Sequence, residues 1–263
     1  MKAKVLFTLC LLAMGLSASA DDFGLRTDVD ITKGLGSGFS VDANFGYRMQ
    51  NHWKSVDRWS AGVGLNYKLC KYLKFGAGYT YIYAYKTETW SKNYNKNGIW
   101  RGYNVDHAYW RSKNRFSLSA TGNVDILPRL NLSLREVLQI TRFVSASTKE
   151  DKRRFETSDL SQIPPIASNE TDYKEARTKQ YLRSRIGLEY DIPHCPLIPY
   201  AQFELSNNLA NGFSIDKRRW AAGVEYKISK QHRLSVGYVY DNGVDDDSES
   251  DIHCIEIGYK YKF

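Results

Sequence analysis

Histidine, carboxylate and cysteine side chains are the groups that could do chemistry here, and their spacing decides which chemistry. The five histidines are His52, His107, His194, His232 and His253. Asp106 precedes His107, and Asp251 lies two residues before His253. A carboxylate–imidazole pair for acid–base work would exist if the fold gathered these groups. No His-Glu-x-x-His zinc spacing and no nucleophile elbow accompanies them, so solvated loop residues and no catalytic set are expected. The acidic run Asp245, Asp246, Asp247, Glu249 and Asp251 lacks the glycine spacing of a calcium loop and reads as a solvated tip. No metal or cofactor is therefore expected. Beyond the first twenty residues the cysteines are Cys70, Cys195 and Cys254, an odd number without a C-x-x-C pair. At least one is an unpaired thiol, and structural thiols are the reading.

A second set of charges repeats with a different spacing. Arg48, Arg115, Arg135, Arg183, Arg185, Arg219 and Arg233, with Glu189, Glu204, Glu225 and Glu256, fall at alternate positions in segments whose other residues are apolar. Side chains alternate across a strand, so one face of each segment is charged and the other greasy. The last segment shows the pattern most simply. Ile255, Ile257, Tyr259, Tyr261 and Phe263 share one face, and Glu256, Gly258, Lys260 and Lys262 the other. A membrane barrel has this division, with apolar residues toward lipid and polar ones toward the lumen.

The elements needed to position these residues recur along the chain. Alternating segments run over Phe23–Ile31, Phe39–Met49, Arg58–Leu69, Leu73–Tyr85, Arg111–Val124, Leu130–Ile140 and Tyr181–Tyr190. Further ones centre on Ala201–Leu205, Trp220–Ile228, Leu234–Tyr240 and the terminal strand. Glu136 interrupts the apolar face of its segment. Short connections near Gly34–Gly38, Cys70, Pro128, Pro193–Pro199 and Ser229–Gln231 alternate with long polar ones. The long ones are Asn51–Asp57, Lys86–His107, Val144–Lys179, Asn207–Asp216 and Asp241–Asp251. In an outer-membrane barrel the short turns face the periplasm and the long loops the outside. Eleven segments conflict with the even strand number of bacterial single-chain barrels. We therefore expect about ten strands, with Phe23–Ile31 not a full stave, or twelve if one was missed.

Composition and the first residues fit that reading. Lys2 and Lys4, the apolar run Val5–Leu16 and the small residues Ala18-Ser19-Ala20 have the pattern of a cleavable secretory signal, residues 1–20. Beyond it no run of about 18 apolar residues exists, so no transmembrane helix is available. The mean hydropathy of −0.51 does not exclude a barrel, whose lumen residues are polar. The 14% aromatic content suits interfacial girdles. The net charge of +8 is spread along the chain and forms no basic patch, which argues against a nucleic-acid partner.

Four stretches resemble a known family. They are Gly62-Val63-Gly64-Leu65-Asn66-Tyr67-Lys68-Leu69, Tyr181-Leu182-Arg183-Ser184-Arg185-Ile186-Gly187-Leu188-Glu189-Tyr190, Pro199-Tyr200-Ala201-Gln202-Phe203-Glu204 and Trp220-Ala221-Ala222-Gly223-Val224-Glu225-Tyr226-Lys227. They look like the small outer-membrane β-barrel family catalogued as a domain of unknown function. The resemblance implies an outer-membrane location and brings no catalytic residues. Tyr259, Tyr261 and Phe263 look like the signal read by barrel-assembly machinery, which implies that machinery, the secretion apparatus and outer-membrane lipid as partners. The sequence thus predicts an all-β, transmembrane, antiparallel up-and-down β-barrel over residues 21–263. Its Arg-lined lumen is either a narrow pore for small anionic solutes or the salt-bridged interior of a structural or surface-interaction barrel without transport. A rim-sited hydrolase using His107 or His253 is the remaining alternative.

Overall fold

The structure is a computed structural model that describes residues 22–155, 166–244 and 252–263. The expected signal segment, the acidic run 245–251 and residues 156–165 of the long connection Val144–Lys179 lie outside these residues. The described chain forms two compact units. The first comprises the described residues of Met1–Ile82, Asn114–Thr141 and Lys179–Phe263; the second is Tyr83–Lys113 and Arg142–Thr178.

Eleven strands close a barrel: β1 Asp22–Gly36, β2 Phe39–Gln50, β3 Ser55–Lys68, β4 Leu73–Lys86, β7 Tyr109–Leu127, β8 Leu130–Phe143, β11 Arg177–Tyr190, β12 Leu197–Asn208, β13 Ser214–Lys227, β14 His232–Gly243 and β15 Ile252–Lys262. Between them lie β5 Thr89–Tyr94, β6 Trp100–Asp106, β9 Ala146–Arg154 and β10 Ile166–Lys174. Around the barrel the order is β1-β15-β14-β13-β12-β11-β8-β7-β4-β3-β2, with β1 pairing β2. Each of the eleven alternating segments is one barrel strand.

The expected count of ten or twelve is therefore corrected to eleven. An even number is needed only when the first and last strands meet antiparallel. Here β1 and β15 pair in parallel, from Asp22↔Ile252 to Thr32↔Lys262. Parallel ladders form evenly spaced, slanted bonds and can close an odd number. The side chains suit this register, because Arg26 stands opposite Glu256 and Asp30 opposite Lys260. The seam continues as Phe263 N–H donates to the Thr32 carbonyl at 3.0 Å and Gly34 N–H to the Phe263 carbonyl at 3.1 Å. Far from being a partial stave, β1 is fifteen residues long.

The outward face is apolar and uncovered, with Val41, Phe45, Val63, Leu65, Phe116, Leu118, Leu134, Ile186, Leu188 and Val236 all exposed. Two rows of rings bound it. On the side of the longer connections Phe203, Trp220, Tyr240 and His253 lie opposite one another on consecutive strands. Their rings touch in sequence at 5.1, 5.9 and 4.6 Å. Trp59 and Tyr81 extend that side with centroids 5.6 Å apart. Toward the short turns stand Phe39 against Tyr67 at 4.6 Å and His232 against Tyr261 at 4.8 Å. Trp59 to Tyr67 is eight steps along β3, which at about 3.3 Å per residue and a tilt near 40° is about 20 Å of height. Glu136, the interruption, accepts a hydrogen bond from Ser184 at 2.6 Å.

The second unit corrects another expectation. Parts of Lys86–His107 and Val144–Lys179, read as polar loops, form a four-stranded sheet in the order β10-β9-β6-β5. Ion pairs between and along strands replace apolar alternation there. Lys152 meets Glu170 at 2.5 Å, and Lys174 meets Asp106 and Asp172 at 2.6 Å each. Partial burial works against the Lys174 charge, but its two carboxylate hydrogen bonds prevail and push its pKa up to about 12.

Candidate functional site

The barrel strands turn their second set of side chains inward, and pairing aligns the charges. Arg185 of β11 stands opposite Glu204 of β12, Glu204 opposite Arg219 of β13, and Arg219 opposite Asp241 of β14. The row alternates in sign, the favourable arrangement for directly opposed side chains. Glu204 receives Arg183 at 2.5 Å and Arg185 at 2.7 Å, with Arg219 at 3.8 Å. Asp241 receives Arg26 at 2.5 Å, Arg219 at 2.6 Å and Lys217 at 3.3 Å. Arg183 also donates to the side-chain oxygen of Gln139 at 3.0 Å. One connected network thus runs from Gln139 on β8, through β11 to β14, to Arg26 on β1. Asp241 is 0% exposed and Glu204 4%. Charges so far from bulk water persist only when paired and hydrogen-bonded, as these carboxylates are.

The other expected lumen residues also sit on inward faces. Glu225 accepts from Arg233 and Lys260, both at 2.8 Å. Arg115 donates to Thr141 at 3.3 Å. Arg48 lies in register between Arg26 and Arg58, and Glu256 faces Arg26 from the other side. Glu189, exposed, stands opposite Tyr200. Arg135 points inward beside this network. Tyr259 meets His232 Nδ1 at 2.6 Å, and Tyr261 stacks on Phe263 at 5.2 Å. The three residues expected to form an assembly signal thus lie on the outward face of the closing strand or directly after it.

Small residues line the opposite wall. The inward positions of β2 to β4 include Ser40, Asn44, Gly46, Ser60, Gly62, Gly64, Gly76 and Gly78. A Cβ on Gly62 would sit 2.7 Å from both the Asn44 carbonyl oxygen and the Thr80 hydroxyl, so neighbours' polar groups lie over these glycines. Tyr200 makes a similar cover elsewhere. Its hydroxyl would meet a Cβ at Gly223 at 2.7 Å and one at Gly237 closer still, so the ring lies across β13 and β14. Arg26, Lys217 and Asp241 belong to this network and were not among the lumen residues expected from the sequence. Asp241 continues the inward alternation of Ser235, Gly237 and Val239, but the acidic residues after it made it look like loop.

Each described residue of the hydrolase alternative has its own local partners, and Asp251 lies outside the described residues. His107 places Nε2 3.1 Å from Asp151 and Nδ1 3.6 Å from Glu88, so both ring nitrogens face carboxylates. Asp106 is held by Lys174. His253 bonds to the Tyr238 hydroxyl and stacks on Tyr240 within the aromatic row. His52 and His194 occupy left-handed turn positions, with φ of 53° each. The three described cysteines are free thiols. Among the described residues no group of three His, Cys, Asp or Glu side chains could hold a metal ion.

Residues 23–250 match the family described as "Protein of unknown function (DUF2490)". The chain belongs to that family. No curated protein matches the sequence. In fold, this family member is similar to the translocator domain of the autotransporter NalP from Neisseria meningitidis. The TM-score is 0.51, with 10% identity over 92% of this chain and 91% of that one. The β domain of the Bordetella autotransporter BrkA (TM-score 0.48, 14% identity, 88% and 86% covered) and the NanC porin (0.45, 14%, 92% and 98%) are also similar. At such identities the likeness concerns the barrel fold, and fold alone does not carry function.

Proposed function

We propose that the protein spans the outer membrane as a β-barrel whose interior is stapled by ion pairs, acting as a scaffold and not as a wide pore. The observation that carries this is the pairing of the two faces. An uncovered apolar band bounded by ring rows would be unstable in water and suits lipid. Behind it, the Gln139–Arg183–Glu204–Arg219–Asp241–Arg26 network ties six strands together with buried carboxylates. Open porins use many more strands to hold a water-filled channel, whereas small barrels are filled by their own side chains. On this reading the barrel turns over no substrate, and its partners are lipid, the secretion apparatus and the assembly machinery.

Planar-bilayer recording of the purified, heat-modifiable protein tests it. Baseline current or only a small conductance is expected. Stable channels of porin size would overturn the scaffold reading. Passage of small anions is the second reading, favoured by the excess of inward guanidinium groups. It would appear as a small conductance with an anion-biased reversal potential, weakened by Arg183→Gln.

A further inference from the structure

The charge row has an unmatched end. Ser133 donates to the Gly187 carbonyl and Ser184 to Glu136, contacts that bracket Arg135 and Arg185 on adjacent strands and set them side by side. Arg135 shares the inward face of β8 with Gln139 and Thr141, and the charges that act on it most strongly are Arg185 and Arg183. The alternation Arg185–Glu204–Arg219–Asp241 therefore begins with a second cation instead of an acid. Arg183, Arg185 and Arg219 already share the Glu204 carboxylate. Among the described residues Arg135 has neither a hydrogen bond nor an ion pair. It is also exposed, unlike Arg183, and the Arg185 side chain keeps 31% of its surface. Like charges directly opposite each other cost stability unless something else compensates.

We propose that Arg135 and Arg185 form a binding site for a small oxyanion, a carboxylate or a phosphate, in the barrel interior. Two adjacent guanidiniums offer paired N–H donors whose fork geometry matches two oxygens of one anion. Gln202, whose side-chain oxygen lies 3.5 Å from Arg185 Nη1, adds a carboxamide at the edge of the site. The opposite charges that act on Arg135 most strongly are Glu204 and Asp42. Glu204 is taken up by three arginines, and Asp42 accepts from Asn66, so neither is committed to Arg135. A bound oxyanion would give the row its missing negative charge. The site stands on the inward register alone and holds whether or not the barrel conducts.

Titration calorimetry on the folded full chain in detergent, with sodium succinate and inorganic phosphate as separate probes against chloride, is the test. Saturable binding of one equivalent of at least one probe is expected. Preference for succinate would assign a carboxylate ligand, preference for phosphate a phosphate ligand. Arg135→Gln should weaken binding at least tenfold while heat modifiability is retained. Arg185→Lys, which keeps the charge and loses the fork, should weaken it several-fold. Arg233→Gln, which alters the separate Glu225 cluster, should leave binding unchanged. Arg135→Glu provides a second readout, because it completes the alternation: binding should vanish while the urea midpoint is equal or higher. No saturable binding of either probe by folded wild-type protein would overturn the proposal. So would undiminished binding in Arg135→Gln, or a lower urea midpoint in Arg135→Glu, which would make Arg135 a structural counter-ion.

Discussion

At the scale of single residues, Asp241 is where the interior is most exposed to damage. Three cations converge on its carboxylate within 3.3 Å, and no bulk water is available to replace it. Removing one partner of a buried ion cluster strands the others, a loss of about 3–5 kcal/mol in comparable sites. Asp241→Asn should therefore lower stability by about that amount, read as a lower urea midpoint in lipid vesicles. An unchanged midpoint would show that the three cations find other partners. Alternation alone gives the inward face of Arg183, Glu204 or Arg219, because strand period fixes it. It does not give partners, since these depend on which strands become neighbours. Arg26 reaches Asp241 over 215 residues of sequence, a pairing only the closure brings about. Arg135 could not be singled out for the same reason, being one of seven inward arginines until its neighbours proved to be two more.

At the scale of elements, the eleven segments were legible because each buries one face and exposes the other. How they close was not. The direction in which β1 meets β15 depends on a seam whose members lie at opposite ends of the chain, and parity reasoning assumed antiparallel pairing. A cysteine pair at Val29 and Tyr259 tests the seam, because these residues are partners in the parallel register. Neighbouring strands lie about 4.8 Å apart, within reach of a disulfide. In a background lacking Cys70, Cys195 and Cys254, mild oxidation should cross-link Val29→Cys/Tyr259→Cys efficiently. A pair that stays reduced in folded protein would argue for another closure. The second unit's sheet was hidden for a different reason. With Lys152, Glu170, Asp172 and Lys174 on its strands, ion pairs take the place of the apolar period by which a strand is usually recognised.

At the scale of the whole molecule, the apolar exterior makes two predictions that separate a lipid-embedded barrel from a soluble one. Val63 lies midway between Trp59 and Tyr67 on β3 and is 58% exposed. In water, Val63→Arg would be nearly neutral. At a bilayer midplane it should cost about 2–4 kcal/mol, measured as reduced folding into vesicles. Orientation supplies the second prediction, and the chain's own thiols report it. Cys70 lies between β3 and β4 and Cys195 between β11 and β12, both at the short-turn end. Ala210 lies between β12 and β13 at the opposite end, where it is exposed. Short turns face the periplasm in outer-membrane barrels, because the chain inserts from that side and carries its longer connections across. A membrane-impermeant maleimide added to intact cells should thus leave Cys70 and Cys195 unmodified and label Ala210→Cys. After the outer membrane is permeabilised, Cys70, the exposed one of the two native turn thiols, should react as well. Labelling of Cys70 in intact cells, with Ala210→Cys protected, would invert the barrel. Equal labelling of both before and after permeabilisation would remove it from the membrane.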